Sequence, residues 1–466
     1  MIPRRIRGIP LEFEDRIKEL LENAEYIEKF FMPKVLLWEK YVFGEPLNRF
    51  KLPADWTKQI PSFDFEALLK WYETNFKDNW KELTFLKGLL NATDHLASAG
   101  EVKIRLLPSI ADSIDEKIPR EKWRPLQRQA YETYGNLLLR APTGYGKTEA
   151  ALLWADRNAQ RTKKGITSRI FYILPYKVSI NAMHQRLLDV FGDPALVGVL
   201  HSSSTFYLYS SHLEYQRLSS LYRKIYTPLK VTTLFQIMKA FFGVGFFEMS
   251  LSELTNSLLI FDEIHAYEPN ILGIILAILK LLKDYMAKTL IMTATLPTFM
   301  EELIKKIINP RELKVSADEA DKFTRHRVNL INGSMDNIEG LVGELPKPSL
   351  VACNTVDRAI EVYSKLKDMG YKVVLLHSRF PYGDREEKER KLLQNLRKYD
   401  FVVATQVVEV SLDLNFESIL TEPAPLDALI QRFGRVNRRG FGRLKDVYVL
   451  TEGSKGDERV YPPENC

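Results

Sequence analysis

Residues 136–150 read NLLLRAPTGYGKTEA, and the helix-forming run ALLWADRNAQ follows at once. An apolar strand, a glycine-bearing loop and a helix in that order form a frame for phosphate. Gly144 and Gly146 let the backbone curl so that its N–H groups and the helix N-terminus face a chain of phosphates. Within this pattern Lys147 reaches the β and γ phosphates of a nucleoside triphosphate and Thr148 ligates Mg²⁺. The strict pattern places glycine at 141, where this chain has Ala141; no other position departs. A plain glycine turn capping a helix would not require Lys and Thr side by side.

A second stretch, LLIFDEIHAYEP at 258–269, runs an apolar strand into Asp262 and Glu263, with His265 two positions on. Carboxylates beside a core are costly unless they hold a metal ion, another charge or a proton in transit. Beside a phosphate loop, Asp262 suits the Mg²⁺ ion and Glu263 suits the attacking water. His265 is placed to link the nucleotide state to neighbouring segments. Without the loop, the same pair would read as a solvated strand edge or a helix cap.

The rest of the composition bounds the class. A chain of 466 residues is too long for one ordinary core, and 45% hydrophobic with 27% charged residues fits a globular protein. Lys and Arg exceed Asp and Glu by 66 to 60, a net +6 that permits an anionic partner without demonstrating one. Two cysteines, Cys353 and Cys466, exclude a disulfide framework and a thiolate metal site, and predict a reducing, cytoplasmic setting. The opening MIPRRIRGIPLEFEDR lacks the apolar core of a secretion signal, and ILGIILAILKLL at 271–282 carries Lys280 and is too short to span a bilayer, so it reads as a buried helix with no membrane partner.

Residues 11–98 are rich in Glu, Lys, Leu, Trp and Tyr at helical spacing. From about 124 the pattern becomes short aliphatic runs between helices (NLLLR, RIFYILPY, SLLIFDE, TLIMTATLP), and a second series follows after 328 (SLVACNT, YKVVLLHS, DFVVATQ). The expected class is α/β: two RecA-like P-loop lobes with parallel sheets, preceded by a mostly helical N-terminal domain. The expected division is 1–100 helical, 101–318 the first lobe with its ATP site, and 319–466 the second lobe, with a hinge near 315–330. In the second lobe QRFGRVNRRG at 431–440, read as a helix, sets Gln431, Arg435 and Arg438 on one face with no carboxylate beside them, a face for an anion.

DEIH, together with motif order from 124 to 440, resembles the superfamily 2 helicases of the D-E-x-H kind. RPLQ at 124–127 resembles their adenine-reading motif through Gln127, and TATLP at 293–297 their coupling motif through Thr293 and Thr295. More narrowly, CNTVDRAIEVY (353–363), LLHSRF (375–380), ATQVVEVSLDL (404–414) and EPAPLDALIQRFGRVNRRG (422–440) resemble the helicase portion of the CRISPR-associated helicase-nuclease of type I interference systems. That resemblance implies ATP and Mg²⁺ as cofactors, with nucleotide contacts from Gln127, Thr143, Gly144, Tyr145, Gly146, Lys147, Thr148, Glu149 and Asp413. It makes Arg435 and Arg438 arginine fingers and assigns Tyr176, Thr233, Gln236, Asn354, Thr355 and Thr405 to the nucleic acid strand.

The implied activity is 3′ to 5′ translocation on single-stranded DNA beside an RNA-guided surveillance complex. Members of that family carry an N-terminal nuclease with a histidine-rich metal cluster. Of the seven histidines here only His95 precedes the lobes, and no His-Asp doublet occurs. LLNATDHLASAG at 89–100 resembles the closing helix of that nuclease, with Asp94 and His95 as its remnant. The expectation is a chain without its own nuclease site that works with a separate nuclease subunit. A general DNA or RNA helicase of repair or RNA metabolism shares the same motifs, and a nucleotide-gated clamp would share all but the need for Glu263. FFGVGFFEMS at 241–250 offers two readings, a surface that docks a partner and a hydrophobic helix end packed in the first lobe, of which the second is the expectation.

Overall fold

The structure is a computed structural model that describes residues 65–100, 104–211, 215–223, 226–410, 414–438, 444–454 and 456–461. The helical reading of 11–64 lies outside these residues.

The first sheet has seven parallel strands: β1 (Leu137–Arg140), β2 (Ile170–Ile173), β3 (Val197–Leu200), β4 (Leu229–Thr232), β5 (Leu258–Asp262), β6 (Lys288–Thr293) and β7 (Arg311–Lys314), in the order β3-β4-β2-β5-β6-β1-β7. Every residue of β2, β4 and β5 is buried, as expected of strands covered on both faces. The edge strand β7 exposes three of its four residues. The principal helices are α1 (Phe65–Ser98), α2 (Pro125–Glu132), α3 (Lys147–Asn158), α4 (Lys177–Phe191), α5 (Leu234–Phe241), α6 (Phe247–Leu254), α7 (Pro269–Leu282) and α8 (Thr298–Ile308), with shorter ones at Ile110–Asp115, Ser204–Ser210 and Tyr215–Tyr222. On one face of the sheet α3 buries Ala150, Leu153 and Trp154; on the other α7 and α8 bury Ile275, Ile278 and Ile304. The 271–282 run is therefore buried on one side only, since Leu281 is 43% exposed. Among the described residues no helix is long and apolar enough to cross a membrane.

From β7 the chain passes through a short helix, Ala317–Lys322, into a second parallel sheet. Its strands are β8 (His326–Ile331), β9 (Ser349–Ala352), β10 (Val373–Leu376), β11 (Phe401–Ala404), β12 (Ser418–Thr421) and β13 (Lys445–Leu450), ordered β8-β13-β12-β9-β11-β10. Helices α9 (Val356–Asp368), α10 (Tyr382–Asn395) and α11 (Leu426–Phe433) connect them. The two parallel sheets match the expected class.

α1 crosses α6 closely at Gly88, where an added Cβ would stand 2.2 Å from both the Glu248 carbonyl oxygen and Ser252 Oγ. Ser252 donates to the Phe85 carbonyl at 3.0 Å, and Lys87 pairs with Glu248 at 2.5 Å. His95 lies edge-on to Phe246 with ring centroids 4.6 Å apart, so it is a packing residue here, and Asp94 is exposed. The FFGVGFF reading needs correction. Phe241 and Phe247 pack inward, whereas Phe242, Val244 and Phe246 are more than half exposed because Gly243 and Gly245, both at left-handed φ, turn the chain outward.

Gly88→Ala is expected to destabilise the seating of α1 by about 1–3 kcal/mol, as overpacking does, read as a lower thermal midpoint and faster proteolysis within α1. His184 on α4, with Nδ1 3.1 Å from the Tyr207 hydroxyl and Nε2 3.1 Å from the Val197 carbonyl, is pushed down to about 4 by burial. The unfolded chain therefore takes up this proton first, near 6.5, so the stability it contributes is full above that pH and falls as pH drops toward 4. Urea melts across pH 7 to 4.5 should show that slope, and His184→Gln should reduce it, leaving the part due to His201, which burial also pushes down to about 4.

Candidate nucleotide cleft between the two sheets

The phosphate loop leaves β1 and enters α3 with Gly144 at φ +77° and Gly146 at φ +93°. Gln127 of α2 lies beneath it, 5% exposed, accepting from the Arg124 backbone N–H at 2.8 Å and donating to the Gly146 carbonyl at 3.4 Å. It is a buried neighbour of the loop, not a surface glutamine. Lys147, also buried, donates to the Ala141 carbonyl at 3.1 Å. Thr148 Oγ1 accepts from Arg186 of α4 at 3.1 Å, and Glu149 forms an ion pair with the same guanidinium.

Asp262 ends β5 two strands away, 7% exposed. Its Oδ2 accepts from the Tyr172 hydroxyl at 2.9 Å and its Oδ1 from the Glu263 backbone N–H at 2.9 Å. Burial first, then the Glu263 carboxylate, push it up to about 7, against the pull of Lys147. The Thr148 hydroxyl also stands beside the Tyr172 phenol, so the threonine hydroxyl and the Asp262 carboxylate gather around one ring. A hydroxyl and a poorly solvated carboxylate gathered in this way are the donor set a hard cation takes, so these residues fit Mg²⁺.

Glu263 sits at φ +54°, a left-handed conformation that costs a non-glycine residue about 1–2 kcal/mol. The turn brings His265 back beneath it, with Nε2 3.2 Å from Glu263 Oε2. His265 Nδ1 is 2.6 Å from Thr293 Oγ1, which in turn donates to the Thr295 carbonyl at 2.6 Å. Its Nε2 lies 3.1 Å from Gln431 Nε2, on the second sheet's α11. Burial lowers the His265 pKa, which keeps the ring neutral; a neutral ring accepting the Gln431 amide at Nε2 carries its proton on Nδ1, toward Thr293.

The helix drawn through Gln431, Arg435 and Arg438 is not formed. α11 stops at Phe433; the Arg435 carbonyl bonds the Phe416 N–H at 2.8 Å, and Asn437 turns left-handed at φ +46°. Competition from the β12 approach ends the helix at Gly434. The turns that follow still reach the phosphate loop, because a Cβ on Gly144 would lie 2.2 Å from the Arg438 carbonyl and one on Gly434 3.0 Å from Thr143 Oγ1. Arg432 is fully buried, donating to Thr421 Oγ1 at 2.7 Å and Asn354 Oδ1 at 3.0 Å.

Two elements of the cleft escaped sequence reading. Arg325, just before β8, donates to the Arg438 carbonyl at 2.9 Å and to Thr143 Oγ1 at 3.0 Å. It stacks on Phe323 at 4.9 Å, whose ring also carries Arg124 at 4.9 Å, and Arg124 lies 4.7 Å from the Tyr145 ring. Burial and the neighbouring Arg438 and Arg124 push Arg325 down to about 10. Tyr172 was the other, hidden as one more apolar strand residue.

The residues expected along the strand divide. Tyr176 precedes α4 and is 41% exposed, Thr233 precedes α5, and Gln236 is half-buried. Asn354 is a correction: at 1% exposure its amide is taken by the Pro423 carbonyl, Asp457 and Arg432, so it braces the second lobe. Thr355 caps α9 by accepting from the Arg358 N–H at 3.3 Å, and Thr405 is 3% exposed. Asp413 and Arg439 lie outside the described residues. Among the described residues no three His, Cys, Asp or Glu side chains gather as a metal set.

Residues 124–303 match the DEAD/DEAH box helicase family, and residues 346–440 match the family described as CRISPR-associated nuclease/helicase Cas3, C-terminal. The fold and these domains are those of the DEAD/DEAH helicase class. The chain's two lobes are those of a Cas3-type helicase. The chain is 32% identical over 344 residues to a putative CRISPR-associated nuclease/helicase Cas3 of Methanocaldococcus jannaschii, covering 67% of this chain and 46% of the relative. It is 29% identical over 328 residues to the CRISPR-associated helicase Cas3 of Thermoproteus tenax, covering 66% and 54%. The crystal structure of T. fusca Cas3-ATP shares the fold with a TM-score of 0.63 at 23% identity, covering 79% of this chain and 51% of that one. The chain thus spans about half the length of these relatives.

Arg325→Leu removes both hydrogen bonds that tie the arginine segment to Thr143. It is expected to let the lobes part in the nucleotide-free protein, read as a larger radius of gyration by small-angle scattering.

Proposed function

We propose that this chain is an ATP-dependent, Mg²⁺-requiring motor that moves 3′ to 5′ along single-stranded DNA in CRISPR type I interference. The reading places no nuclease site of its own in the chain; an RNA-guided surveillance complex and a separate nuclease subunit are its partners, in the cytoplasm. It divides the chain into a helical part at 1–100, a first lobe at 101–318 and a second at 319–466. The observation that carries the motor reading is the His265–Gln431 contact at 3.1 Å, which ties the carboxylate strand of one lobe to the arginine segment of the other.

The roles follow from that arrangement. The loop 143–149 and Lys147 hold the triphosphate, Gln127 reads the base, and Asp413 contacts the ribose. Thr148 and Asp262 would hold Mg²⁺, which supplies positive charge against the phosphate oxygens when bound. Glu263 orients the attacking water, and Arg435 and Arg438 stabilise charge developing on the γ-phosphate from across the cleft. Glu263 Oε2 lies 3.2 Å from His265 Nε2, His265 bonds Thr293, and Thr293 bonds Thr295, so loss of the γ-phosphate is passed along the carboxyl ends of the strands, where Tyr176, Thr233 and Gln236 lie. Thr405 and Thr355 extend that path on the second lobe, with Asn354 bracing it.

ATP turnover measured with and without single-stranded DNA tests the reading. DNA should stimulate phosphate release; stimulation by RNA alone assigns the chain to a general superfamily 2 helicase instead. Lys147→Ala should abolish turnover while the fold persists. Glu263→Gln should lower turnover by about a hundredfold or more with ATP binding retained, and unchanged turnover would refute its assigned role.

A further inference from the structure

A cavity of about 450 Å³ opens at the β3–β4 edge of the first sheet, away from the phosphate loop, and the nucleotide cleft does not use it. His201 and Ser204 reach it from the segment after β3, Gln236 and Lys239 from α5, Arg223 from the helix Tyr215–Tyr222 and its following turn, and Phe246 from the loop before α6. Its floor holds Lys230, 1% exposed, bound to Glu253 at 2.5 Å. Glu253 is the only carboxylate among the lining residues, and Lys230 neutralises it. Among the described residues, the charge left at the rim is that of Arg223 and Lys239, both exposed, and Lys239 donates to the neutral Gln236 amide at 3.2 Å.

Beside the cavity runs an aromatic row. Phe235, Lys239 and Phe242 stand at i, i+4 and i+7 along the solvent face of α5 and its end, Phe235 50% and Phe242 67% exposed. Val244 and Phe246 continue the row at 52% and 56%. Gly243 and Gly245, at φ +67° and +68° with nothing within 4 Å of an added Cβ, make the turn that leaves these rings outside. Exposed rings interleaved with cations form a platform on which unpaired bases stack while the phosphates meet the charges. A protein-docking patch, by contrast, is depleted of lysine at its centre. The row also begins on the helix that carries Gln236 and follows Thr233.

We propose that α5 and the 242–246 loop form an accessory subsite for single-stranded nucleic acid, in which bases stack on Phe235, Phe242 and Phe246 and the strand's phosphates lie along Arg223 and Lys239. The proposal rests on the strand path through Thr233 and Gln236. It extends that path to the β3 edge of the sheet and adds a grip that reads no sequence, since every base offers a face to a ring.

The test uses the full chain and an oligodeoxynucleotide carrying 2-aminopurine, whose fluorescence falls when the base stacks. Phe242→Ala should weaken binding about tenfold and abolish much of the quenching, and Phe242→Trp should restore both. The combined Phe235→Ala, Phe242→Ala and Phe246→Ala variant should bind more weakly still, with an unchanged circular dichroism spectrum. If that variant binds as well as the parent while Gln236→Ala weakens binding, the accessory subsite is refuted and the strand path stands. If neither changes binding, both readings fall. Unchanged oligonucleotide affinity with loss of an associated protein chain would mark the row as a protein contact and overturn the proposal.

Discussion

The buried carboxylate of Asp262 constrains everything around it. A strand of five buried residues delivers it to the sheet's end, where it has lost most of its water and gained a like charge next door. The protein answers with a phenol from β2, a backbone N–H and the nearby Lys147. Those answers tie β2 and β5 to the phosphate loop, because the Tyr172 phenol stands beside both Asp262 and Thr148. What is left uncompensated is a site for positive charge.

The second constraint is the crossing between lobes. His265 can be held by Thr293 on its own sheet and still present Nε2 to Gln431 because burial keeps it neutral. On the far side, Arg432 is spent inside the second lobe, leaving the segment beyond α11 to face the phosphate loop through its backbone. Glycine at 144 is required there for contact as well as for conformation, since the Arg438 carbonyl occupies the space a side chain would need.

Much of this was legible in the sequence because loop chemistry is local. Glycine, lysine and threonine in APTGYGKT and the paired acids in DEIH declare themselves without knowledge of the fold. The central strands were equally plain, being continuous apolar runs. Strands β3, β4, β7, β8, β12 and β13 were not read, since VGVL carries a glycine, LKVT a lysine and RELK alternating charge. Lys230 becomes tolerable in a strand only when Glu253, 23 residues later, folds back onto it. The same non-locality hid Tyr172 and Arg325 and drew one helix too long through QRFGRVNRR. That segment has good helical spacing, and what stops it is a backbone bond to Phe416, which no spacing rule contains.

The 34 residues of α1 make a rod about 50 Å long, clamped to α6 by the bare backbone at Gly88. α6 is followed within four residues by β5 and borders the cavity at the sheet edge. The rod's last turns seat Leu96 against Leu221 and Tyr226, so the helix is also anchored at the outer border of the first sheet. Held at both places, the rod acts as a splint along that border of the sheet.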